Sequence, residues 1–351
     1  MTKFLLIGHD GLMVNSIAPY AAPPGQVEVE RVVTASICHM KEGIYAQMED
    51  IRAHSLPHNA VDGIHAILHY QSGWFVHWVE GPAPEVRALL QRLADDPRHH
   101  SPHTLHTSRG RRILPTPWSM VMSQATESAV QFGRRVMALR EQFEKGVQYA
   151  PSSVLRRLSA PMQLPQAQGL PDPEAFHRVG ICAAGGNEAF AMVGWLAQQR
   201  GTTVAKRRFA GEQDMDGSSE YVEFMEGGHP CRMIAVARNG LTHGLRRAFL
   251  PDWPHFVMLF SGTPRFDDAL MGRMAAACEG LPVTPTLLGI APNAEAHQRM
   301  QAMAAEAHLA YVAAGTARPD ECPSVWRAVQ EQLQRAGEPP SSVWDVPRMV
   351  A

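Results

Sequence analysis

Alternating apolar and polar positions predict a strand over Arg31–Ile37. Ile44, Met48 and Ile51, spaced i, i+4 and i+7, predict the buried face of a helix over residues 41–56. Val61–Tyr70 and Trp74–Glu80 predict two strands joined by Gln71-Ser72-Gly73, a hairpin signal. Pro84 then opens a second helix, with Val86, Leu89, Leu90 and Leu93 as its apolar stripe. Strands are expected near Thr104–Ser108 and Trp118–Met122, followed by a helix carrying Phe132, Val136, Leu139 and Phe143 on one side. The resulting β-α-β-β-α-β order, with an added strand and helix, predicts an α+β, ferredoxin-like domain over residues 31–150. Residues 1–30 read as an N-terminal extension.

Residues 151–174 contain five prolines and read as a linker between domains. Beyond them, apolar runs at Arg178–Ala183, Cys231–Ala237, His255–Ser261, Pro285–Ala291 and Leu309–Ala313 predict strands. Helical patterns at Phe190–Gln199, Asp267–Cys278 and Ala294–Ala307 fall between them. Such alternation predicts a parallel sheet covered on both faces, a three-layer α/β domain over residues 175–320. Residues 321–351, with Pro339-Pro340-Ser341-Ser342, read as a loosely held tail.

Composition narrows the function. In 351 residues, 32 Lys+Arg face 34 Asp+Glu, a formal net charge of −2, which argues against binding nucleic acid through its phosphates. No apolar run reaches the length of a membrane span, and Phe4-Leu5-Leu6-Ile7 is too short for a signal peptide. Five scattered cysteines without a Cys-x-x-Cys pair suit reduced thiols, so a cytoplasmic protein is expected.

Three segments then gain meaning together. His58-Asn59-Ala60-Val61-Asp62-Gly63-Ile64, Gly73-Trp74-Phe75-Val76-His77-Trp78-Val79-Glu80-Gly81 and Asp95-Asp96-Pro97-Arg98-His99, followed by Trp118-Ser119-Met120, resemble the BLUF family, sensors of blue light using FAD. The resemblance spans residues 31–122 and implies a flavin between the two helices. It implies that Asn59 hydrogen-bonds the flavin ring, that Arg98 and His99 help hold it, and that Trp118 and Met120 report the signal. The family's photochemistry uses a Tyr on the first strand and a Gln on the third; the corresponding positions here are Thr34 and His77. An aliphatic hydroxyl is no electron donor, and imidazole lacks the two ends of an amide. The expectation is therefore a BLUF-like fold without the normal photocycle, with FAD retention left open by His77. Asn59 as a helix-end cap, and Arg98-His99 as a solvated helix terminus, remain alternatives.

The 17 histidines raise a metal hypothesis, strongest at His65/His69 and at His99, His100, His103 and His106. No His-Glu-x-x-His or Cys/His quartet supports it, so packing histidines and no metal are expected.

The segment Arg178–Phe190 resembles the strand–loop–helix opening of a small GTPase, and Gly201–Ala205 resembles the switch segment of MglA-like GTPases. Yet Glu188, Ala189 and Phe190 stand where Gly-Lys-Ser/Thr would hold phosphate and magnesium. Ala237-Arg238-Asn239-Gly240 lacks the magnesium-binding Asp, and Ala291-Pro292-Asn293-Ala294 replaces the base-reading motif. Only four lysines occur in the chain, and after residue 175 the single one is Lys206. No GTP and no GTP hydrolysis are expected.

The combined expectation is a signalling or scaffold protein without enzymatic activity, working through protein–protein contacts. The expected partners are proteins, an MglA-like GTPase or its regulators among them, with self-association left open. An FAD-binding photoreceptor with altered photochemistry is the alternative.

Overall fold

In the computed structural model, residues 28–123, 127–164, 175–210 and 217–337 are described. The expected extension up to residue 27, residues 165–174 of the expected linker and residues 338–351 of the expected tail lie outside them.

The N-terminal unit follows the apolar alternation, except that the first helix runs through Pro57 to Val61 and the second strand starts at His65, where Val61 was expected to begin it. Strand β1 (Val29–Cys38) is followed by α1 (Ile44–Val61), β2 (His65–Gln71), β3 (Trp74–Gly81), α2 (Ala83–Ala94), β4 (His99–Gly110) and β5 (Ser119–Ser123). The β2–β3 turn is two residues long, with Ser72 at φ 51° and Gly73 at φ 79°. Two left-handed residues in succession match the right-handed twist of the strands. The sheet order is β5-β2-β3-β1-β4, and β5 runs parallel to β2. Helices α1 and α2 cover one face through Met48, Ile51 and Val86. This is the expected ferredoxin-like layer.

Helix α3 (Ala129–Glu144) opens on a capping box: the Ser128 hydroxyl accepts from Gln131 N, and Gln131 Oε1 accepts from Ser128 N. Its Phe132, Val136 and Leu139 cover the other face of the sheet. The stretch expected as a linker begins there with a helix, α4 (Pro151–Ser159), whose Val154, Leu155 and Leu158 are fully buried in the same layer. Proline count suggested a linker, but Pro151 sits in the first turn of a helix, where its missing N–H costs nothing.

The C-terminal unit comprises β6 (His177–Ala183), α5 (Glu188–Arg200), β7 (Ala205–Ala210), β8 (Gly217–Glu226), β9 (His229–Val236), α6 (Gly244–Phe249), β10 (His255–Leu259), α7 (Pro264–Cys278), β11 (Thr286–Ala291), α8 (Ala294–Glu306), β12 (Tyr311–Thr316) and α9 (Cys322–Ala336). Its sheet order is β12-β11-β10-β6-β9-β8-β7, parallel from β12 to β9 and antiparallel at β8 and β7. The β7–β8 hairpin was not expected, because charged residues interrupt its apolar pattern. Residues expected as tail form α9, whose Val325, Trp326, Val329 and Leu333 pack against the sheet with α5. Asn293, at the end of β11, caps α8: its Oδ1 accepts from Ala296 N at 2.9 Å.

The two units share structure in two ways. Strand β5 pairs antiparallel with β7, Met122 opposite Ala210 and Ser123 opposite Phe209, so one 12-stranded sheet runs through both. Leu245 and Ala248 of α6 also enter the core layer formed by α3 and α4. Among the described residues no helix is long and apolar enough to cross a membrane.

Candidate flavin cavity

Side chains alternate along a strand, so one face of the N-terminal sheet collects every second residue beneath α1 and α2. Across that face, Thr34 of β1 lies opposite His77 of β3, His77 opposite Leu68 of β2, and Leu68 opposite Met120 of β5. Above this row is a cavity of about 230 Å³, open at one side between the helices. Thr34, Asn59, His77, Arg98, His99 and Trp118 line it, so six of the seven expected residues converge there. Met120 is fully buried in the layer beside Trp118 and does not line the cavity. Ser36, Ser55 and Asp96 also line it and were not expected as site residues. Ser55 lies four residues from both Ile51 and Asn59, so helical spacing would have placed it on the same face.

Asn59 belongs to the last turn of α1 and is 3% exposed. Its side chain does not cap the helix; Nδ2 donates to the carbonyl of Pro117 at 3.0 Å and ties α1 to the approach to β5. Arg98 sits at the mouth and grips Asp96 through both carboxylate oxygens, with Nε–Oδ1 at 2.9 Å and Nε–Oδ2 at 3.0 Å. That grip holds the Asp96 carboxyl below its usual range. His99 packs edge-on against Phe75, ring centroids 6.4 Å apart.

His77 is the chemical centre of the cavity. It is 8% exposed, and burial, reinforced by the neighbouring His99, pushes its pKa down to about 4. At neutral pH the ring is uncharged, with one donor and one acceptor nitrogen. Its ring centroid is 6.1 Å from that of Trp118. His77 Nε2 and Trp118 Nε1 are both buried without a hydrogen-bond partner, as is His99 Nδ1. Buried polar atoms of this kind are costly unless a ligand or water satisfies them.

The histidines expected as packing groups are divided by the sheet. His69 is fully buried on the opposite face, where its Nε2 lies 2.6 Å from Ser123 Oγ, and His65 Nδ1 lies 2.6 Å from the Leu114 carbonyl. The run from His99 to His106 is strand β4 and not a single turn region, which spreads its imidazoles along the sheet edge.

In the C-terminal unit, a smaller crevice of about 150 Å³ lies at the carboxyl ends of β6 and β9, lined by Gly186, Asn187, Phe190, Arg238 and their neighbours. The Arg238 guanidinium donates to the Ala184 carbonyl there. Glu188 opens α5 beside Gly186, where an added Cβ would meet its carboxylate at 2.7 Å.

The sheet carries two helices over one face, with a partly polar cavity between them. Residues 31–121 match the family model described as sensors of blue-light using FAD, and this unit is a BLUF domain. Photoactivated adenylate cyclase subunit beta of Euglena gracilis is 32% identical over 107 residues, 29% of this chain and 12% of that relative. The beta-like protein FB of the same organism is 33% identical over 106 residues, with the same 29% and 12% shares. The chain thus spans only a small part of these relatives. Among solved structures, BlsA in its photo-activated state aligns at 19% identity and TM-score 0.29, covering 39% of this chain and 99% of BlsA. A bacterial light-regulated adenylyl cyclase aligns at 13% identity and TM-score 0.28, over 69% of this chain and 86% of that one.

These relatives overturn the expectation of a chain without enzymatic activity: both curated proteins are cyclases by name, and the kinship reaches them through the BLUF part. The family's cofactor is FAD, a blue-absorbing and redox-active ring. The cavity residues fit it. The space lies between α1 and α2, and three unpartnered ring nitrogens line it.

Proposed function

We propose that this chain is a flavin-binding sensor that operates without the Tyr–Gln photocycle of its family and sends its output through the C-terminal α/β unit. One observation carries the reading: His77 Nε2 and Trp118 Nε1, both buried and both without a partner, line the same cavity between α1 and α2. Such atoms suit a planar heteroaromatic ligand with its own donors and acceptors. Asn59, Arg98 and His99 would hold the ring system from the helix side and the mouth. His77 would supply a single donor or acceptor where an amide would offer both, and Thr34 supplies no electron.

The α/β unit is read as GTPase-like, with protein partners on its surface. The strand–loop–helix opening at β6 and α5, and the antiparallel strands beside β9, support that reading. The crevice chemistry weighs against phosphate, since Glu188 and an already engaged Arg238 stand at the loop. The expected partners remain an MglA-like GTPase or its regulators.

The test is an absorption spectrum of protein purified in the dark with added FAD. We expect flavin bands at one equivalent, lowered severalfold in occupancy by Asn59→Ala, and no reversible red shift under blue light. Protein that retains no flavin overturns the sensor reading; a reversible red shift overturns the altered photochemistry.

A further inference from the structure

Strand β5 begins directly after Trp118, which lines the cavity, and the α/β unit holds the strand at both ends. At its far end, Met122 and Ser123 pair with β7. At its start, Ser119 is 3% exposed and meets the first residue of α6, Gly244. A Cβ on Gly244 would lie 2.0 Å from Ser119 Oγ and 3.0 Å from Ser119 Cβ, so an added methyl would turn the Ser119 hydroxyl aside and press on its Cβ. The φ of Gly244 is not in the left-handed region; the demand is for space.

The contact reaches the cavity in one step. Trp118 immediately precedes Ser119, and the short segment Thr116–Ser119 is internally braced. The Thr116 hydroxyl donates to the Trp118 carbonyl at 3.0 Å and lies 3.1 Å from Ser119 Oγ. From the other side, Asn59 holds the Pro117 carbonyl. The segment is therefore set between α1 of the sensor unit and α6 of the α/β unit. Close-packed interiors transmit small displacements because they cannot absorb them locally.

We propose that Gly244 and Ser119 are positioning residues for Trp118: the α/β unit sets where the indole stands in the cavity, and movement of α6 is felt there. The proposal rests on reading the cavity as the sensor site, but the contact can be tested without flavin. Full-length protein labelled with 5-fluorotryptophan gives one fluorine resonance per tryptophan, and Trp118→Phe assigns the one in question. Gly244→Ala is expected to move the Trp118 resonance beyond its linewidth, and Ser119→Gly/Gly244→Ala to return it to the position seen in Ser119→Gly alone. Gly194→Ala, whose added Cβ would meet nothing within 4 Å, is expected to leave it in place. An unmoved resonance in folded Gly244→Ala, or an equal movement in Gly194→Ala, overturns the proposal. If Gly244→Ala fails to fold, recovery of a folded chain in the double variant supports the same contact, and a double variant that fails equally overturns it. In FAD-loaded protein, Gly244→Ala should also change the FAD dissociation constant severalfold. Loss of flavin from wild-type protein counts against the sensor reading alone, since the fluorine shift is read in its absence.

Discussion

Replacing Asp252 by Asn should cost the whole chain about 3 kcal/mol of stability, because this carboxylate joins the two units from inside. Asp252 receives Arg156 Nε at 2.8 Å and Ser153 Oγ at 3.1 Å from α4, and it lies 3.3 Å from Arg178 Nε of β6. All three charged side chains are 3% exposed. Both guanidiniums also lie over the Phe176 ring, at 5.1 and 5.0 Å, so neither can turn out to water without opening the core. Asn keeps the shape but removes the charge and offers donors where acceptors are needed. Breaking a buried pair from one side typically costs about 3–5 kcal/mol. Arg178 keeps the Asp252 and Phe176 carbonyls as acceptors, which places the loss at the lower end. Three kcal/mol is roughly a hundredfold in the unfolding equilibrium. Equilibrium urea denaturation, followed by far-ultraviolet circular dichroism, measures it. The exposed Arg318–Asp320 pair provides the control, and Asp320→Asn should change stability by less than about 0.5 kcal/mol. A loss below about 1 kcal/mol at Asp252 would refute the reasoning, since it would mean the two arginines find water.

Two further outcomes follow from burial. Leu155→Ala in α4 should destabilise the chain by about 2–5 kcal/mol, as for any fully buried leucine, and thermal melting checks it; a segment acting as a linker would lose almost nothing. His69 and His77, both pushed down to about 4 by burial, are neutral in the fold and titrate near 6.5 when unfolded. The unfolded chain therefore binds more protons between those values, so stability is full above about pH 6.5 and falls as the pH drops towards 4. Each group contributes up to about 3 kcal/mol to that loss. Melting temperatures measured from pH 7 to 4.5 should fall, and His69→Gln should flatten part of the slope; an unchanged slope would place the acid sensitivity elsewhere.

Periodicity alone determined most elements of the N-terminal unit and the parallel part of the second sheet, because buried faces impose periods of 2 and 3.6 on the chain. The ordered motif around Asn59, His77, Arg98 and Trp118 marked the BLUF domain, and these four residues line one cavity. Local pattern failed where polar residues are buried or apolar ones cross between units. Helix α4 has Ser152, Ser153 and Arg156 in its interior, satisfied in part by Asp252 almost a hundred residues away, so its sequence reads as loop. The β7–β8 hairpin and α9 are likewise completed by distant partners, through β5 and through the sheet face beside α5. Arg98 and Asp96, two residues apart in the motif, proved to be partners to each other at the cavity mouth. What the tertiary structure alone decided is the joining of the units: the contact of Gly244 with Ser119, and the pairing of β5 with β7, depend on side-chain volume and strand edges brought together from positions 86 or more residues apart. No local period encodes such contacts, because their physical cause is the space left when two separately patterned layers pack.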